Sequence, residues 1–327
     1  MEGLKEQVRQ ILFNKSRIIG KVESGKKGPA IVFCGGIHGN EPAGVLALIR
    51  VFDTIKERKI KINGKVLGFI GNRIALHKHK RFIESDLNRL WTSNNIHKLH
   101  NTGFTSNEIT SEKTEMIEID ELLMSFIKGT EAKHRYFVDL HTTSSTTIPF
   151  AAIDRMKQSV EFAMQLPIPF IINLDEFLEG TLMHYLDHIN FGAMVFEAGK
   201  HEDPISVNIH EALVWLVLYI SGAVAKEDVP NYEGCLTLLG GINEHPHQIF
   251  NIIHREPANN GSFRMAQTFV NFQPIKKGDL LAYNGVNKIA CQHDGFLFMP
   301  LYQDQGADGY FIVRKAQKEL SIDPIHN

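Results

Sequence analysis

The segment Cys34-Gly35-Gly36-Ile37-His38-Gly39-Asn40-Glu41-Pro42-Ala43 sets an imidazole and a carboxylate three residues apart. Side chains at that spacing face one point when the backbone turns tightly, and the flanking glycines permit the turn. An apolar β-type run from Ala30 to Phe33 stops at the glycine pair, and Pro42 suits the first turn of a helix. Open α/β sheets keep their ligands at such strand ends. His38 and Glu41 therefore read as two-thirds of a metal site.

A third ligand stands in Tyr136-Phe137-Val138-Asp139-Leu140-His141-Thr142-Thr143, an apolar strand with His141 just past its end. Asp139 lies two residues earlier, on the same face of an extended chain, where it can orient the imidazole. Two histidines and one carboxylate form an open hydrolytic zinc set that leaves a coordination position for water. Such an ion lowers the pKa of water from ~16 to ~7 and polarises a carbonyl. A histidine near a strand end is more often structural than ligating, and a bare His-x-x-Glu is common by chance. The joint placement of all three at the ends of buried strands reverses that balance. One Zn2+ per chain is the expected cofactor.

Amide hydrolysis also needs a group that carries a proton from water to the leaving nitrogen. Met194-Val195-Phe196-Glu197-Ala198-Gly199 reads as a buried strand ending in a carboxylate, and burial would raise the Glu197 pKa as a shuttle requires. Glu176, Glu179 and Glu202 lie in polar loops, which leaves Glu197 as the candidate. In Arg81-Phe82-Ile83-Glu84-Ser85-Asp86-Leu87-Asn88-Arg89-Leu90-Trp91, two arginines and Asn88 could grip a carboxylate, because a guanidinium fork matches its two oxygens. His77, Lys78, His79 and Lys80 are rim charges that would draw an anionic substrate inward.

The elements that must position these groups alternate. Strands are expected at Arg17–Val22, Ala30–Cys34, Lys65–Ile70, Tyr136–Leu140, Phe170–Asn173 and Ala193–Glu197. Helices are expected at Glu41–Lys56, Glu112–Lys128, Arg155–Met164 and Ser206–Val224. That alternation implies an α/β fold with a mostly parallel or mixed sheet covered on both faces. Thr92–Thr110, rich in Asn, Ser, Thr and His, reads as a long surface loop. After Asp228-Val229-Pro230 the pattern changes to short apolar runs between turn signals. The expected organisation is a catalytic α/β domain over 1–228 and a small all-β, barrel-like domain over 229–327. The turns around Gly278-Asp279 and Asp294-Gly295 resemble those of the lipoyl and biotinyl carrier barrel, without a lysine in the carrier position.

Composition narrows the function classes. A chain of 327 residues with 43% hydrophobic and 22% charged residues is ordinary for a globular protein. A net charge of −2 argues against nucleic acid or an anionic membrane as the main partner. Three dispersed cysteines form no disulfide framework, no signal peptide is visible, and no apolar stretch spans a bilayer. A cytoplasmic enzyme with a small-molecule partner is expected, with a homo-oligomer left open.

Four motifs in order resemble the succinylglutamate desuccinylase and aspartoacylase family, relatives of the zinc carboxypeptidases. They are Gly35-Gly36-Ile37-His38-Gly39-Asn40-Glu41, Asp86-Leu87-Asn88-Arg89, Asp139-Leu140-His141-Thr142-Thr143 and Phe196-Glu197-Ala198-Gly199. The resemblance implies a zinc-carboxypeptidase-like mixed sheet and a β-rich C-terminal domain. It implies that His38, Glu41 and His141 hold zinc, that Glu197 is general base and then acid, and that Arg81 stabilises the oxyanion. Asn88 and Arg89 would grip the α-carboxylate of an N-acyl amino acid, which is hydrolysed to an amine and a carboxylate.

Two departures bear on the substrate. Aspartoacylases carry an arginine about ten residues before the base, whereas Gly180 to Phe196 contains none. His184 and His188 are the substitutes on offer there. The family's C-terminal-domain tyrosine has only Tyr302 and Tyr310 as counterparts. Two other readings stay open: a zinc carboxypeptidase acting on peptides, and a non-catalytic metal or small-molecule binder.

Overall fold

The computed structural model describes residues 16–25, 27–128, 132–241, 246–258 and 261–316. Strands β1 (Ile18–Glu23) and β2 (Ala30–Gly35) lead to α1 (Ala43–Glu57), β3 (Lys65–Ile70) and the short α2 (Arg73–Lys78). Then come α3 (Ser93–His97), α4 (Ser111–Ile127), β4 (Arg135–Thr143), β5 (Phe150–Ile153) and α5 (Lys157–Ala163). They are followed by β6 (Phe170–Ile172), α6 (Leu182–His188), β7 (Gly192–Lys200), α7 (Ile205–Ile220) and α8 (Tyr232–Gly240). The remaining strands are β8 (Ile249–Pro257), β9 (Phe263–Met265), β10 (Gln273–Ile275), β11 (Leu280–Asn284), β12 (Asn287–Ala290), β13 (Gly295–Phe298) and β14 (Asp308–Lys315).

A mixed sheet of order β1-β3-β2-β4-β7-β5-β6-β8-β14-β13-β10 runs through the molecule, and β12-β11-β9 forms a separate small antiparallel sheet. Its centre is parallel: β3, β2, β4 and β7 point the same way, so their C-terminal ends share one edge. These strands are near-continuous apolar runs because both sheet faces are covered. On one face, Phe33, Val138, Leu140 and Phe196 pack with residues of α1 and α7. On the other, Val32, Cys34, Phe137 and Val195 pack with α4, α6 and Trp91. Asp139, His141 and Glu197 follow the parity of this second face.

Several differences from the sequence reading have local causes. The polar stretch 92–110 is built as helical turns, with α3 followed by turns at Lys98–Thr102 and Ser106–Glu108. Its threonines act as caps: Thr92 accepts from Asn95 N and Thr110 from Lys113 N. Threonine is favoured at caps as well as in loops, so composition could not separate the two. Strand β5 and helix α6 are short and were unmarked by periodicity. The chain beyond Pro230 opens with a helix, α8, before the strands begin. Strands β8, β14, β13 and β10 then extend the main sheet, since β8 pairs parallel with β6. Among the described residues, no helix is long and apolar enough to cross a membrane.

Candidate metal centre and active site

Strand β2 is wholly buried and ends at Gly35. Gly36 takes a φ of 69°, a left-handed turn that glycine adopts without strain. Gly39 passes so close to α2 that an added Cβ would lie 2.0 Å from the Ala75 carbonyl carbon. The Gly39 N–H donates to the Arg81 carbonyl at 3.1 Å, which fastens the loop. Pro42 then caps α1. The loop thereby turns His38 and Glu41 toward β4.

There the two imidazoles and the carboxylate meet. His38 Nδ1 lies 2.9 Å from Glu41 Oε1, and His141 Nδ1 lies 3.1 Å from Glu41 Oε2. One ligand atom from each of His38, Glu41 and His141 falls within 4.8 Å of the others, and all three residues are buried. The far nitrogen of each ring faces a carboxylate: His38 Nε2 is 3.2 Å from Asp86 Oδ1, and His141 Nε2 is 3.0 Å from Asp139 Oδ2. With those nitrogens turned toward carboxylates, both Nδ1 atoms remain for the centre, the arrangement that metal-binding histidines adopt. The donor set therefore fits a divalent ion, and nitrogen plus carboxylate donors suit zinc.

The electrostatics have the same sense. Burial pushes the Glu41 carboxyl up, but His38 and His141 overcome it and hold it well below the usual carboxylate range. Burial works against a charge on His141, yet Asp139 and Glu41 raise its pKa well above the ordinary value. Such a pair shares protons tightly in the absence of an ion; a dication would take their place.

Glu197 comes from the neighbouring strand. In the β4–β7 pairing it lies directly opposite His141, so the two side chains emerge together. Burial pushes its carboxyl up to about 8, against the opposing pull of His141. Its Oε2 is buried and has no hydrogen-bond partner among the described residues. A carboxyl this poised, in a cavity beside a metal-type cluster, is suited to exchanging protons near neutral pH.

Arg81 is gripped by Asp86, which accepts from its Nε at 3.2 Å and its Nη2 at 3.0 Å. Its Nη1 reaches to 3.7 Å from Glu41 Oε1, so the guanidinium spans from the rim to the metal cluster. Asp86 touches both Arg81 and His38, and with them it holds the 81–88 segment against the centre. Burial opposes charge on Asp86, but Arg81 foremost and then His38 hold its carboxyl well below the usual range. Asn88 Oδ1 accepts from the Leu182 N–H at 2.8 Å, which leaves its amide NH2 as the end presented to the cavity. Arg89 donates to the Asn88 carbonyl at 2.8 Å and to Asp308 Oδ2 at 3.1 Å.

His38, Glu41, Arg81, Asn88, Arg89, His141 and Glu197 line one cavity of about 110 Å³, together with Thr142, His201, Phe150, Val195, Phe298 and Asp308 among others. All the residues singled out in the sequence for metal, proton transfer and substrate carboxylate border it, with Asp139 just behind His141. The substitutes considered for the missing arginine and tyrosine do not. His184 and His188 sit on α6 with their Nε2 atoms 3.1 Å apart. Tyr310 is buried in the core of the small sheet. Tyr302 borders an outer recess beside Asn40 and Lys80, its hydroxyl accepting from Phe269 N at 2.6 Å.

The residues that sequence reasoning missed come mostly from far along the chain. Asp308 holds Arg89 and also Arg255, whose Nε is 2.7 Å from Asp308 Oδ1. Thr142 Oγ1–H donates to His201 Nδ1 at 2.7 Å, and His201 Nε2–H donates to Gln303 Oε1 at 3.2 Å, the tautomer following from the network. Asn40 also donates to Gln303 Oε1, at 2.8 Å. Asp86 was legible as part of the Asp-x-Asn-Arg motif, though its contact with His38 was not. Asn40 and Thr142 likewise stand inside the quoted motifs, while no signal marked His201, Arg255, Gln303 or Asp308.

Comparison with known proteins agrees with this construction. Residues 27–221 match the succinylglutamate desuccinylase/aspartoacylase catalytic domain. The succinylglutamate desuccinylase of Pseudoalteromonas atlantica is 26% identical over 290 residues, covering 84% of this chain and 77% of the relative. The solved succinylglutamate desuccinylase of Vibrio parahaemolyticus superposes with a TM-score of 0.59 at 20% identity, covering 93% of this chain and 84% of the other. A succinylglutamate desuccinylase/aspartoacylase from Rhodobacter sphaeroides gives 0.62 at 14% identity, covering 91% and 88%. With the catalytic-domain match spanning more than half its length and the four motifs converging on one cavity, the chain belongs to the succinylglutamate desuccinylase/aspartoacylase family.

Proposed function

We propose that the protein is a zinc-dependent hydrolase that cleaves the amide bond of a small N-acyl amino acid, releasing a carboxylate and an amine. Residues 1–228 would carry the chemistry and 229–327 would flank the mouth of the site. The observation that carries this reading is the buried, unpartnered Glu197 carboxyl in register with His141, beside two imidazoles converging on Glu41. A non-catalytic binder has no use for such a group.

In this reading His38, Glu41 and His141 hold the ion, while Asp86 and Asp139 fix the two rings. The ion would supply Lewis acidity and a lowered water pKa. Glu197 accepts a proton from the attacking water at its free carboxylate oxygen and later delivers it to the leaving nitrogen. Arg81 places a cation at the cavity wall where the attacked carbonyl oxygen becomes negative, a contribution of about 3–4 kcal/mol for a well-aimed donor. Asn88 and Arg89 orient the substrate through its α-carboxylate. Asp308 steadies Arg89 from the opposite side.

A peptide substrate is the competing reading. The cavity of about 110 Å³ is bordered by Phe298, Met299, Pro300 and Leu301, a scale that favours a small molecule over a chain. The deciding experiment incubates zinc-loaded protein with N-acyl amino acids and with tripeptides. Hydrolysis of the first set alone supports the proposal; hydrolysis of the tripeptides alone replaces it.

A further inference from the structure

The family name suggests dicarboxylic substrates, yet half of this cavity is hydrocarbon. The pairing of β5 with β7 sets Phe150 opposite Glu197 and Ala152 opposite Val195. Neighbouring residues in register, two apart along each strand, share one face. The floor beyond the Glu197 carboxyl is therefore apolar: Phe150, Ala152 and Val195. Leu174, Phe298 and Phe311 complete this apolar lining. The aromatic rings are locked together, with Phe150 and Phe298 centroids 5.1 Å apart edge-to-face and Phe298 and Phe311 at 6.2 Å.

The guanidinium groups of the lining are already engaged. The lining contains two arginines, Arg81 and Arg89, and among its described residues no lysine. Arg81 is held by Asp86, and Arg89 shares Asp308 with Arg255. Those two arginines can serve the oxyanion and one α-carboxylate. A second carboxylate lying against Val195, Phe150 and Phe298 would find no free guanidinium in the lining, and Arg255, cross-strand from Phe311, is already held by Asp308 and the Phe177 carbonyl. Burying an unpaired carboxylate in such surroundings is strongly unfavourable. The stretch 180–196, which offers no arginine, contributes Val195 to the wall instead.

We infer that the substrate carries a compact hydrocarbon group beside the scissile amide, seated on Phe150, Ala152, Leu174, Val195, Phe298 and Phe311, in place of a second carboxylate. The inference rests on the deacylase reading for its chemistry, though the apolar seat exists independently of it. The whole cavity is about 110 Å³, below the roughly 150 Å³ of an apolar cavity that holds a benzene ring, so its apolar end suits only a compact group. The hydrocarbon can belong to the acyl part or to the amino-acid side chain.

The test compares three substrate sets on the zinc-loaded protein. N-acetylphenylalanine and N-acetylleucine place the hydrocarbon on the side chain. N-benzoylglycine and N-hexanoylglycine place it on the acyl group. N-succinylglutamate and N-acetylaspartate carry the second carboxylate. We expect one of the first two sets to exceed the third in kcat/KM by at least roughly tenfold, since a single methylene in an apolar pocket is worth about 10–200-fold. Equal or better hydrolysis of the dicarboxylic set overturns the inference. Thermal shift on the metal-free protein reads the seat without catalysis. A larger stabilisation by the hydrocarbon-bearing compounds supports it even if nothing is hydrolysed, in which case the deacylase reading alone falls. No difference in either assay, or a preference for the dicarboxylates, overturns it. Val195→Thr and Phe298→Leu, both close in size to the originals, should shrink the preference several-fold while leaving the fold intact by circular dichroism; an unchanged preference in both counts against the seat.

Discussion

The two ends of the cavity are built in opposite ways. At the polar end, the ligand set and Arg81 come from residues 38–141 and each is braced by a charged partner, while Glu197 alone among the groups assigned a chemical role has a carboxylate oxygen with no partner among the described residues. At the other end the wall is assembled from β5, β7, the Leu174 turn, β13 and β14, and its members touch only through apolar surface. The polar end specifies chemistry, because directional hydrogen bonds hold donors and charges at fixed positions. On the proposed reading the apolar end would select which molecule enters, because packing rewards shape and penalises unpaired charge. An enzyme can keep the first and change the second without altering its reaction class.

The sharpest way to break this division is to remove a ligand at the polar end. Replacing His141 with Ala should reduce bound zinc from one per chain to near none and bring hydrolysis to background, as read by metal analysis beside an activity assay. Retention of stoichiometric zinc would refute the assignment of the centre. Next in size is Glu197→Gln, expected to lower kcat by about 10²–10⁴-fold with zinc still bound. If kcat survives, the proton must travel by another group.

Arg89→Met should raise KM by roughly 10–100-fold with a smaller change in kcat, the loss expected for one charge-assisted contact to a carboxylate. A fall in kcat at unchanged KM would move Arg89 from substrate holding to transition-state stabilisation. Asp86→Asn leaves all three ligands in place and loosens the His38 ring, so zinc affinity should fall about 10–100-fold in a chelator competition. An unaltered affinity would mean that Asp86 serves only Arg81.

A buried carboxyl outside the cavity supplies the control. Asp187 lies at the far end of β7 from Glu197 and accepts from Ala193 N at 3.3 Å. Burial, then the neighbouring Asp154 carboxylate, pushes it from an ordinary 3.8 up to about 11. Its folded pKa lies above the unfolded one, so its contribution to stability is complete below about pH 4 and is lost as pH rises toward 11. Asp187→Asn keeps the side chain uncharged at every pH. Its urea midpoint should therefore gain on the wild type between pH 5 and pH 8, with hydrolysis unchanged within about twofold. A loss of activity comparable to that of Glu197→Gln would show that the cavity is not chemically distinct from the core beneath it.

The polar end was legible in the sequence for a physical reason. Metal ligation and proton transfer demand particular side chains, and the backbone that presents them demands glycine at a positive φ, as at Gly36. Such requirements leave marks such as Gly-Gly-Ile-His-Gly-Asn-Glu and Asp-Leu-His that survive in one dimension. The central strands were legible too, because a doubly covered sheet needs unbroken apolar runs. The 92–110 segment was misread because threonine serves caps and loops alike. Strand β5 and helix α6 were too short to show a period.

What the sequence by itself determined is the inventory: an α/β scaffold, two histidines and a glutamate as a candidate cation set, a buried strand-end carboxyl proposed as the proton shuttle, and an Asn-Arg pair. What only the tertiary structure decided is the neighbourhood of each. That Asp86 backs His38, that Asp308 joins Arg89 to Arg255, and that Phe150, Val195 and Phe298 form one wall depends on strand order and register. Apolar residues look alike along a chain whether they fill a core or line a pocket. Only their placement around a cavity makes a phenylalanine a candidate determinant of the substrate.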